Sequence, residues 1–573
     1  MKKLLCVFLA CLMVVGLLAG CGDGGSGATT SSGAATSGGS SSSGGTTSGA
    51  VSDGNTTTTA YGTYSADKPY ELTFAWVQLY PQDATAAQAV YDAINEYMIP
   101  NYHIKVDFLP LEYASYQQTL QLMFSGGDPL DVMPVYYTNA SSWIGMNAIV
   151  DMNPYLATED GAKVIEALGG EANAKVGTMN GVLFGFPANK ESVELGGLCM
   201  RADICDELGI TEKYGLADGK DAYDGTVYSW DVAEEIFDTV LAAYPNMVPC
   251  YMMGSQSVMR RFAFFDELAD QFGVLDWESD RNSTTVVNEF ETEAYREAVT
   301  RMGRWMDKGY IFKDAATDTT GNATMIKAGN TFSYPTAIKP GHLSEANAQC
   351  GQRMYDMYFE DQVEGGYSTT NVSFFDTGIA TNSADPDMAF KFISAMYSDP
   401  TFYNLWQYGI EGVNYQVLDD GTAYWPEGQD DSNYTYHQNC GWELGNQFQS
   451  YVWQSYGADG TPLKDANYWD TLQHHNDWAM YSPAYGFMWD SSAYQTQIAA
   501  LQNALNTYRP ALETGTGGEA AVEANLKALN DALYAAGLQE VMDAKQAQLD
   551  AWLAANGPTQ TPQANLDTIN SVK

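Results

Sequence analysis

The sequence predicts an α/β body followed by a helical C-terminal part, and three observations carry that prediction. Between Glu71 and Tyr136 apolar alternation gives way to helical spacing and returns, in the order strand, helix, strand, helix, strand, which is the signature of a parallel sheet with crossover helices. Near the C-terminus, Ile498, Leu501, Leu505, Tyr508 and Leu512 recur at spacings of 3, 4, 3 and 4, an amphipathic helix. The length of 573 residues, with 45% hydrophobic and 13% aromatic content, excludes both a single small core and a chain disordered throughout.

The elements follow in order. Lys2 and Lys3 precede an uncharged apolar run over 4–18, long enough for an export signal and short for a bilayer span. It ends in Leu18-Ala19-Gly20-Cys21, a lipobox, so residues 1–20 are expected to be removed and Cys21 to carry lipid, two acyl chains anchoring far better than one. From Gly22 to Ala60, 30 of 39 residues are Gly (11), Ser (10) or Thr (9), so 21–60 is expected to be a coil tether with a span of roughly 35 Å. The run 71–77 then alternates as a strand. Val90, Ile94 and Met98 at i+4 spacing make 85–98 a helix, 103–109 alternates again, 113–124 is helical, and 131–136 is a short apolar strand. Ligands in such sheets sit beyond the carboxyl ends of the strands, which singles out Trp76, Gln78 and Tyr80, and the stretch from Tyr137 to Trp143. A second α/β region covers about 195–330, with helices over 230–241 and 292–306. The segment 371–381 reads as a strand and 386–396 as a helix, and amphipathic helices over 498–512, 522–533 and 538–553 close the chain. The tail after Gly557-Pro558 is expected to fray.

Composition narrows the partners. Against 27 Lys and Arg stand 71 Asp and Glu, a net charge of −44, which repels phosphate backbones and excludes nucleic acid. Five cysteines remain besides Cys21 after cleavage: Cys199, Cys205, Cys250, Cys350 and Cys440. None forms a CxxC pair or a Cys/His ligand spacing, so buried free thiols are expected, with no disulfide framework, no metal and no cofactor. Asp419-Asp420-Gly421 and Asp430-Asp431 are only fragments of a calcium loop. There is no phosphate-binding Gly-rich loop, no HExxH and no strand-borne GxSxG, and the five histidines are scattered, so no catalytic residue is assigned. Carboxylates are abundant enough to leave a glycoside hydrolase open, because their separation in space is not visible in sequence. Trp442, Trp453, Trp469, Trp478 and Trp489 lie within fifty residues. Indole and phenol rings can stack on the C–H face of a sugar while their N–H or O–H bonds a hydroxyl, although most such rings serve the core.

Several motifs together resemble the family 1 extracellular solute-binding lipoproteins of ABC importers. They are the lipobox and tether, SGGDPLDVMPVYY from Ser125, GVLFGFP from Gly181, LGGLCMRADICDELGI from Leu195, and the run from Thr377 to Tyr415. WELGNQF from Trp442, SPAYGF from Ser482 and the helical segments from Ile498 and Leu533 are similar to the extra C-terminal domain of a subgroup. The resemblance spans nearly all of 70–555. It implies a two-lobed periplasmic-binding-protein-like fold over 61–425 with hinge strands, a C-terminal domain over 426–556 whose helices pack on one lobe, and a polar tail over 557–573. It further implies a solute, an oligosaccharide by analogy with the subgroup, captured between the lobes by a monomer on the extracytoplasmic face and delivered to membrane permease subunits. By the same resemblance, Asn189 and Glu191 in FPANKE lie at a lobe crossing beside the ligand, and Ser333-Tyr334-Pro335 is a second crossing. Trp76, Tyr80, Trp143 and Tyr334 are then candidate stacking platforms, and Gln78, Asn189, Glu191, Glu411 and Trp442 polar or rim contacts. The alternative is a surface-anchored glycoside hydrolase.

Overall fold

The computed structural model describes residues 49–571 except 81, 194, 219–225, 255–256, 258, 360–364, 431 and 457–459. The expected signal peptide, Cys21 and most of the tether lie outside the described residues. Val51–Ser52, Thr57–Thr58 and Thr63–Tyr64 form an antiparallel meander. The tether therefore ends about ten residues earlier than composition suggested. Thr57 is buried with its hydroxyl 2.9 Å from His103 Nδ1, and Thr59 donates to Asp385, so a threonine run that cannot build a core is still held by side-chain hydrogen bonds.

In chain order, the first lobe starts with β1 (Tyr70–Val77), α1 (Ala84–Tyr102), β2 (Ile104–Leu111), α2 (Tyr116–Gly126), β3 (Val132–Tyr136) and α3 (Tyr137–Gly145), and reaches β4 (Phe186–Pro187). The second lobe contains β5 (Leu195–Arg201), α4 (Trp230–Ala243), β6 (Val248–Cys250), α5 (Glu293–Asp307), β7 (Thr331–Ile338), α6 (His342–Cys350) and β8 (Met354–Tyr358). The chain returns through β9 (Gly365–Tyr367) to β10 (Phe375–Ile379), α7 (Pro386–Ser398) and α8 (Pro400–Tyr408). After β11 (Ala479–Tyr481) come α9 (Gln495–Glu513), α10 (Val522–Ala535) and α11 (Leu538–Asn556).

The first-lobe sheet runs β2-β1-β3-β10-β4. β1 and β2 pair in parallel along their whole length, from Tyr70 opposite Ile104 to Val77 opposite Leu111, and β3 adds in parallel. The helix between β1 and β2 forms as its spacing predicts: Asp83 caps it by accepting from the Thr85 and Ala86 amides, and Val90, Ile94 and Met98 are buried on the sheet. β10 runs antiparallel to β3, so Phe375 lies opposite Tyr136 at the carboxyl edge of the parallel strands. α7 and α8 cover this lobe, started by Asp385 and Asp399 as N-caps with proline behind each.

The second-lobe sheet runs β6-β7-β5-β8, with β5 antiparallel to both neighbours. Its core is shared with the C-terminal helices: Leu501, Leu505, Leu526, Leu529, Leu533, Val541 and Leu549 belong to the cluster that holds Leu198, Phe237 and Trp305. The approach is close at Gly303 in α5, where a Cβ would lie 2.7 Å from Glu519 Cα. The helices therefore pack on one lobe, as expected. Ser333-Tyr334-Pro335, by contrast, lies inside β7 opposite Cys199 and is not a crossing. The return crossing, in its described part, is the stretch 365–374 ahead of β10. The tail is docked rather than frayed: Gln563–Asn570 is helical, Ile569 is buried, and the Asn565 amide donates to the Asn476 and Ala479 carbonyls. The five described cysteines are buried free thiols.

Candidate ligand cleft

Side-chain hydrogen bonds tie the first crossing, around Asn189 and Glu191, to the segment that carries Asn446 and Gln447. In the first crossing the Asn189 amide nitrogen donates to Ala167 O at 2.7 Å and Asn446 Oδ1 at 2.9 Å, while its backbone N–H donates to Gly445 O. Glu191, 5% exposed, accepts from Lys339 Nζ and Gln447 Nε2, both at 2.6 Å. Burial pushes this carboxyl up, but the Lys339 and Lys190 charges and the two hydrogen bonds outweigh it and hold it at about 2. Asn189 and Glu191 are thus at a crossing, with their polar atoms spent on holding the crossing segments together.

At the carboxyl edge of the first-lobe sheet, Tyr136 is the hub of an aromatic wall. Its ring centroid lies 4.8 Å from Tyr116, 6.3 Å from Tyr113 and 4.5 Å from Phe375, and Phe375 meets Trp442 at 5.1 Å and Phe374 at 4.5 Å. Tyr113 and Phe374 are exposed and Trp442 is half-buried, so the wall ends in rings that solvent can reach. Sequence reasoning found only Trp442 of these. Tyr113 and Tyr116 sit in a predicted helix and Phe374 in a predicted strand, where local pattern gives no sign of exposure.

Behind the wall lies a cavity of about 10 Å³, the size of one water or one hydroxyl, lined by Trp76, Tyr136, Asp376, Thr377 and Glu443 among others. The Tyr136 hydroxyl donates to Glu443 Oε1 at 3.2 Å, and Glu443 Oε2, Asp376 Oδ1 and Trp76 Nε1 are buried without a partner. Burial pushes the Glu443 carboxyl up to about 8, so near neutral pH most of it is protonated and can donate as well as accept. Burial raises Asp376 as well, against the Ser373 hydroxyl that donates to it.

The second crossing continues from this wall into the other lobe. Ser368, Thr370 and Asn371 line a cavity of about 40 Å³ with Arg261, Phe264, Glu267 and Trp277. The loop that supplies those last residues is clamped from behind by α11. Lys545, fully buried, donates to Asp270 Oδ1 at 2.6 Å and Gly273 O at 2.9 Å, and the Ser482 hydroxyl donates to Asp266. Leu268 and Ala269 within this loop hold φ of 46° and 83°, which the Ala269 N–H bond to Thr370 Oγ1 helps to fix.

The remaining sequence candidates fall in several places. Trp76 stacks on Phe74 at 5.2 Å and Trp143 sits in a neighbouring core cluster; both are 0% exposed, so neither offers the open face expected of a stacking platform. Gln78 is half-buried at the end of β1, and the Tyr80 ring is partly exposed. Tyr334 is buried under α6 against Cys199 and Cys350, away from the wall. Glu411 is exposed in a turn closed by the Gly412 N–H to Tyr415 O. The Asp420 and Asp430 carboxylates are taken up by the backbone N–H and hydroxyl groups of Thr422 and Ser432 in local turns.

Two α/β lobes joined by crossing segments, with an aromatic wall at the strand ends of one of them, define the two-lobed class of solute-binding fold. The chain belongs to the bacterial extracellular solute-binding protein family, whose pattern matches residues 89–431. A domain of unknown function (DUF3502) matches residues 483–554, the α9 to α11 region. A curated relative, the carbohydrate ABC transporter substrate-binding protein of Streptococcus pneumoniae serotype 4, is 22% identical over 464 residues, 78% of this chain and 84% of its own. The crystal structure of the N-glycan transport solute-binding protein NgtS from Streptococcus pneumoniae superposes with a TM-score of 0.67 at 19% identity, covering 85% of this chain and 99% of that one. The same protein in complex with Man1GlcNAc gives 0.60 at 18% identity, covering 84% and 99%. These likenesses establish the two-lobed fold. No helix among the described residues is long and apolar enough to cross a membrane.

Proposed function

We propose that this protein is the solute receptor of an ABC importer and that it captures an oligosaccharide between its lobes, anchored through lipid on Cys21 and working as a monomer with membrane permease subunits. The observation that carries the reading is the wall from Tyr113 through Tyr136 and Phe375 to Trp442, backed by the neutral Glu443 carboxyl. Open ring faces suit the C–H faces of pyranoses, and a protonated acid beside a tyrosine hydroxyl gives paired donors and acceptors without net charge. Carbohydrate binding in the curated relative and glycan complexes of NgtS support the same solute class. In this reading Tyr113, Phe374 and Trp442 stack on sugar rings, Tyr80 and Gln78 flank them, and Asn189 and Glu191 serve the hinge.

The hydrolase alternative requires two carboxyls facing each other across the scissile bond, about 5 to 9.5 Å apart, one of them free to meet substrate. Glu443 and Asp376 share one cavity behind Tyr136, 3% and 2% exposed, which favours recognition over bond cleavage. A thermal-shift screen over a glycan panel tests the receptor reading, since a ligand at 100 times its Kd adds roughly 2.7 kcal/mol. Stabilisation by an oligosaccharide that is recovered intact supports it; cleaved product supports the hydrolase. Lipid labelling of the parent and of Cys21→Ser tests the anchor, and equal labelling of both would exclude it.

A further inference from the structure

Cys199 in β5 lies directly opposite Tyr334 in β7 and Asp356 in β8. Paired residues of adjacent strands point to the same face, so this row stands on the side of the second-lobe sheet that α6 covers. His342, the first residue of α6, reaches the row with its Nδ1 2.7 Å from Asp356 Oδ2. One ligand atom each of Cys199, His342 and Asp356 lies within 4.8 Å of the other two, the one such convergence of His, Cys, Asp and Glu groups among the described residues.

We infer that this trio binds a borderline-soft divalent metal ion, zinc(II) foremost, through the Cys199 sulfur, a His342 ring nitrogen and the Asp356 carboxylate. Asp356 supplies an observation independent of the clustering. Its side chain is 0% exposed, Oδ2 is taken by His342, and Oδ1 is buried with no partner beyond the Cys199 thiol beside the carboxylate, whose proton a bound cation would displace, so the lone pairs of a low-dielectric site are left for that cation. Charge is in balance, because one thiolate and one carboxylate neutralise a divalent ion and a neutral imidazole adds none.

The donor set selects the metal. Sulfur, nitrogen and oxygen together suit zinc(II) or cobalt(II), whereas calcium and magnesium take oxygen ligands. Tetrahedral bonds of about 2.0 to 2.3 Å place ligand atoms on the order of 3.5 Å apart, so the His342–Asp356 pair would open slightly while the thiol closes in. Three protein ligands leave one position for water. His342, whose side chain is 12% exposed, gives the ion a path to a site whose other two ligands are sealed. The local spacing rules for zinc motifs miss such a site, since its ligands are 143 and 14 residues apart and are joined only by the β5–β8 register and the start of α6.

The site also adjoins the hinge. Lys339, three residues before His342, pairs with Glu191 of the first crossing, so a metal on His342 fixes the start of α6 and the turn that presents Lys339.

The experiment is a cobalt(II) titration of the purified, chelator-treated chain, followed through the thiolate-to-cobalt absorption in the near ultraviolet and displaced with zinc(II). The expected result is one equivalent of cobalt with a thiolate band that zinc abolishes. The band should disappear in Cys199→Ala, bind cobalt at least tenfold more weakly in His342→Gln, and persist in Cys440→Ala, a buried thiol of the other lobe. No thiolate band in the parent overturns the inference, as does a band of parental intensity in Cys199→Ala. Should that variant fail to fold, the milder His342→Gln decides, and unchanged cobalt affinity there overturns the inference equally.

Discussion

Replacing Lys545 by methionine keeps the side-chain volume and removes one charge from α11, and its effect should appear in a different element, the loop 264–277 of the ligand cleft. The ammonium is fully buried and holds Asp270 Oδ1 at 2.6 Å, Gly273 O at 2.9 Å and Asp270 O at 3.4 Å. Removing one partner of a buried ion pair costs about 3 to 5 kcal/mol when the charge left behind stays dry. The Asp270 side chain is 20% exposed and can take up water, which lowers the expected cost to roughly 2 to 4 kcal/mol. Every 1.4 kcal/mol is a factor of ten, so local opening of the loop should become on the order of 100-fold easier. Hydrogen exchange read by mass spectrometry on 264–277 measures this directly, with peptides of β1 and β2 as internal reference. Exchange in that loop equal to the parent's, with the variant folded, would refute the idea that the DUF3502 region braces the cleft. The same variant should bind glycan more weakly if the second-lobe cavity lined by Phe264 and Trp277 contributes contacts.

Other expectations follow from the same geometry. Trp442→Ala and Tyr113→Ala should each weaken oligosaccharide binding by about 1 kcal/mol, roughly fivefold by calorimetry, while Trp143→Ala should lower stability by about 3 to 5 kcal/mol through core loss. Unchanged affinity in both of the first pair would move the site. Two of the buried glutamates, Glu443 and Glu191, should give opposite pH limbs. The Glu443 carboxyl is raised to about 8, so its contribution is complete below about 4.5 and is lost as pH rises through 8; Glu443→Gln should flatten stability over that interval in urea titrations. Glu191 is lowered to about 2, so its contribution is present above about 4.5 and is lost as pH falls toward 2, and Glu191→Gln should remove that acid limb. A parent whose stability is flat from pH 5 to 9 would contradict the first, and an acid limb retained in Glu191→Gln the second.

How much of this was legible in the sequence depended on whether a signal was local. The switch between period 2 and period 3.6 marked β1 through β3 and the C-terminal helices, because burial on one face imposes that pattern residue by residue. The crossings were half legible. FPANKE marked the first, but Tyr334 was misplaced, since which sheet a strand joins is fixed by pairing partners far away in sequence. Trp76 and Trp143 read as cleft residues because an indole at a strand end looks the same whether its faces meet solute or Phe74 and its neighbours. Tyr113 and Phe374 were missed for the converse reason. One signal was available and went unused: Leu538, Val541, Lys545 and Leu549 share one helix stripe, and a lysine inside an apolar stripe announces a buried partner. The docked tail and the structured end of the tether are held by scattered side-chain hydrogen bonds, such as Asn565 to Ala479 and Thr57 to His103, for which composition carries no trace.

Capture between lobes is the central claim, and small-angle scattering with and without a glycan whose binding is fixed by calorimetry tests it most directly. A ligand that touches Tyr113 and Trp442 on one lobe and the Trp277 cavity on the other gains contacts only when the lobes approach, and that difference alone shifts the population. Moving from 1:99 to 99:1 takes about 5.5 kcal/mol of differential binding, within reach of several stacked rings and desolvated hydroxyl bonds. The account predicts a smaller radius of gyration at saturation. An unchanged radius with saturating glycan bound would contradict closure and assign the site to a single lobe.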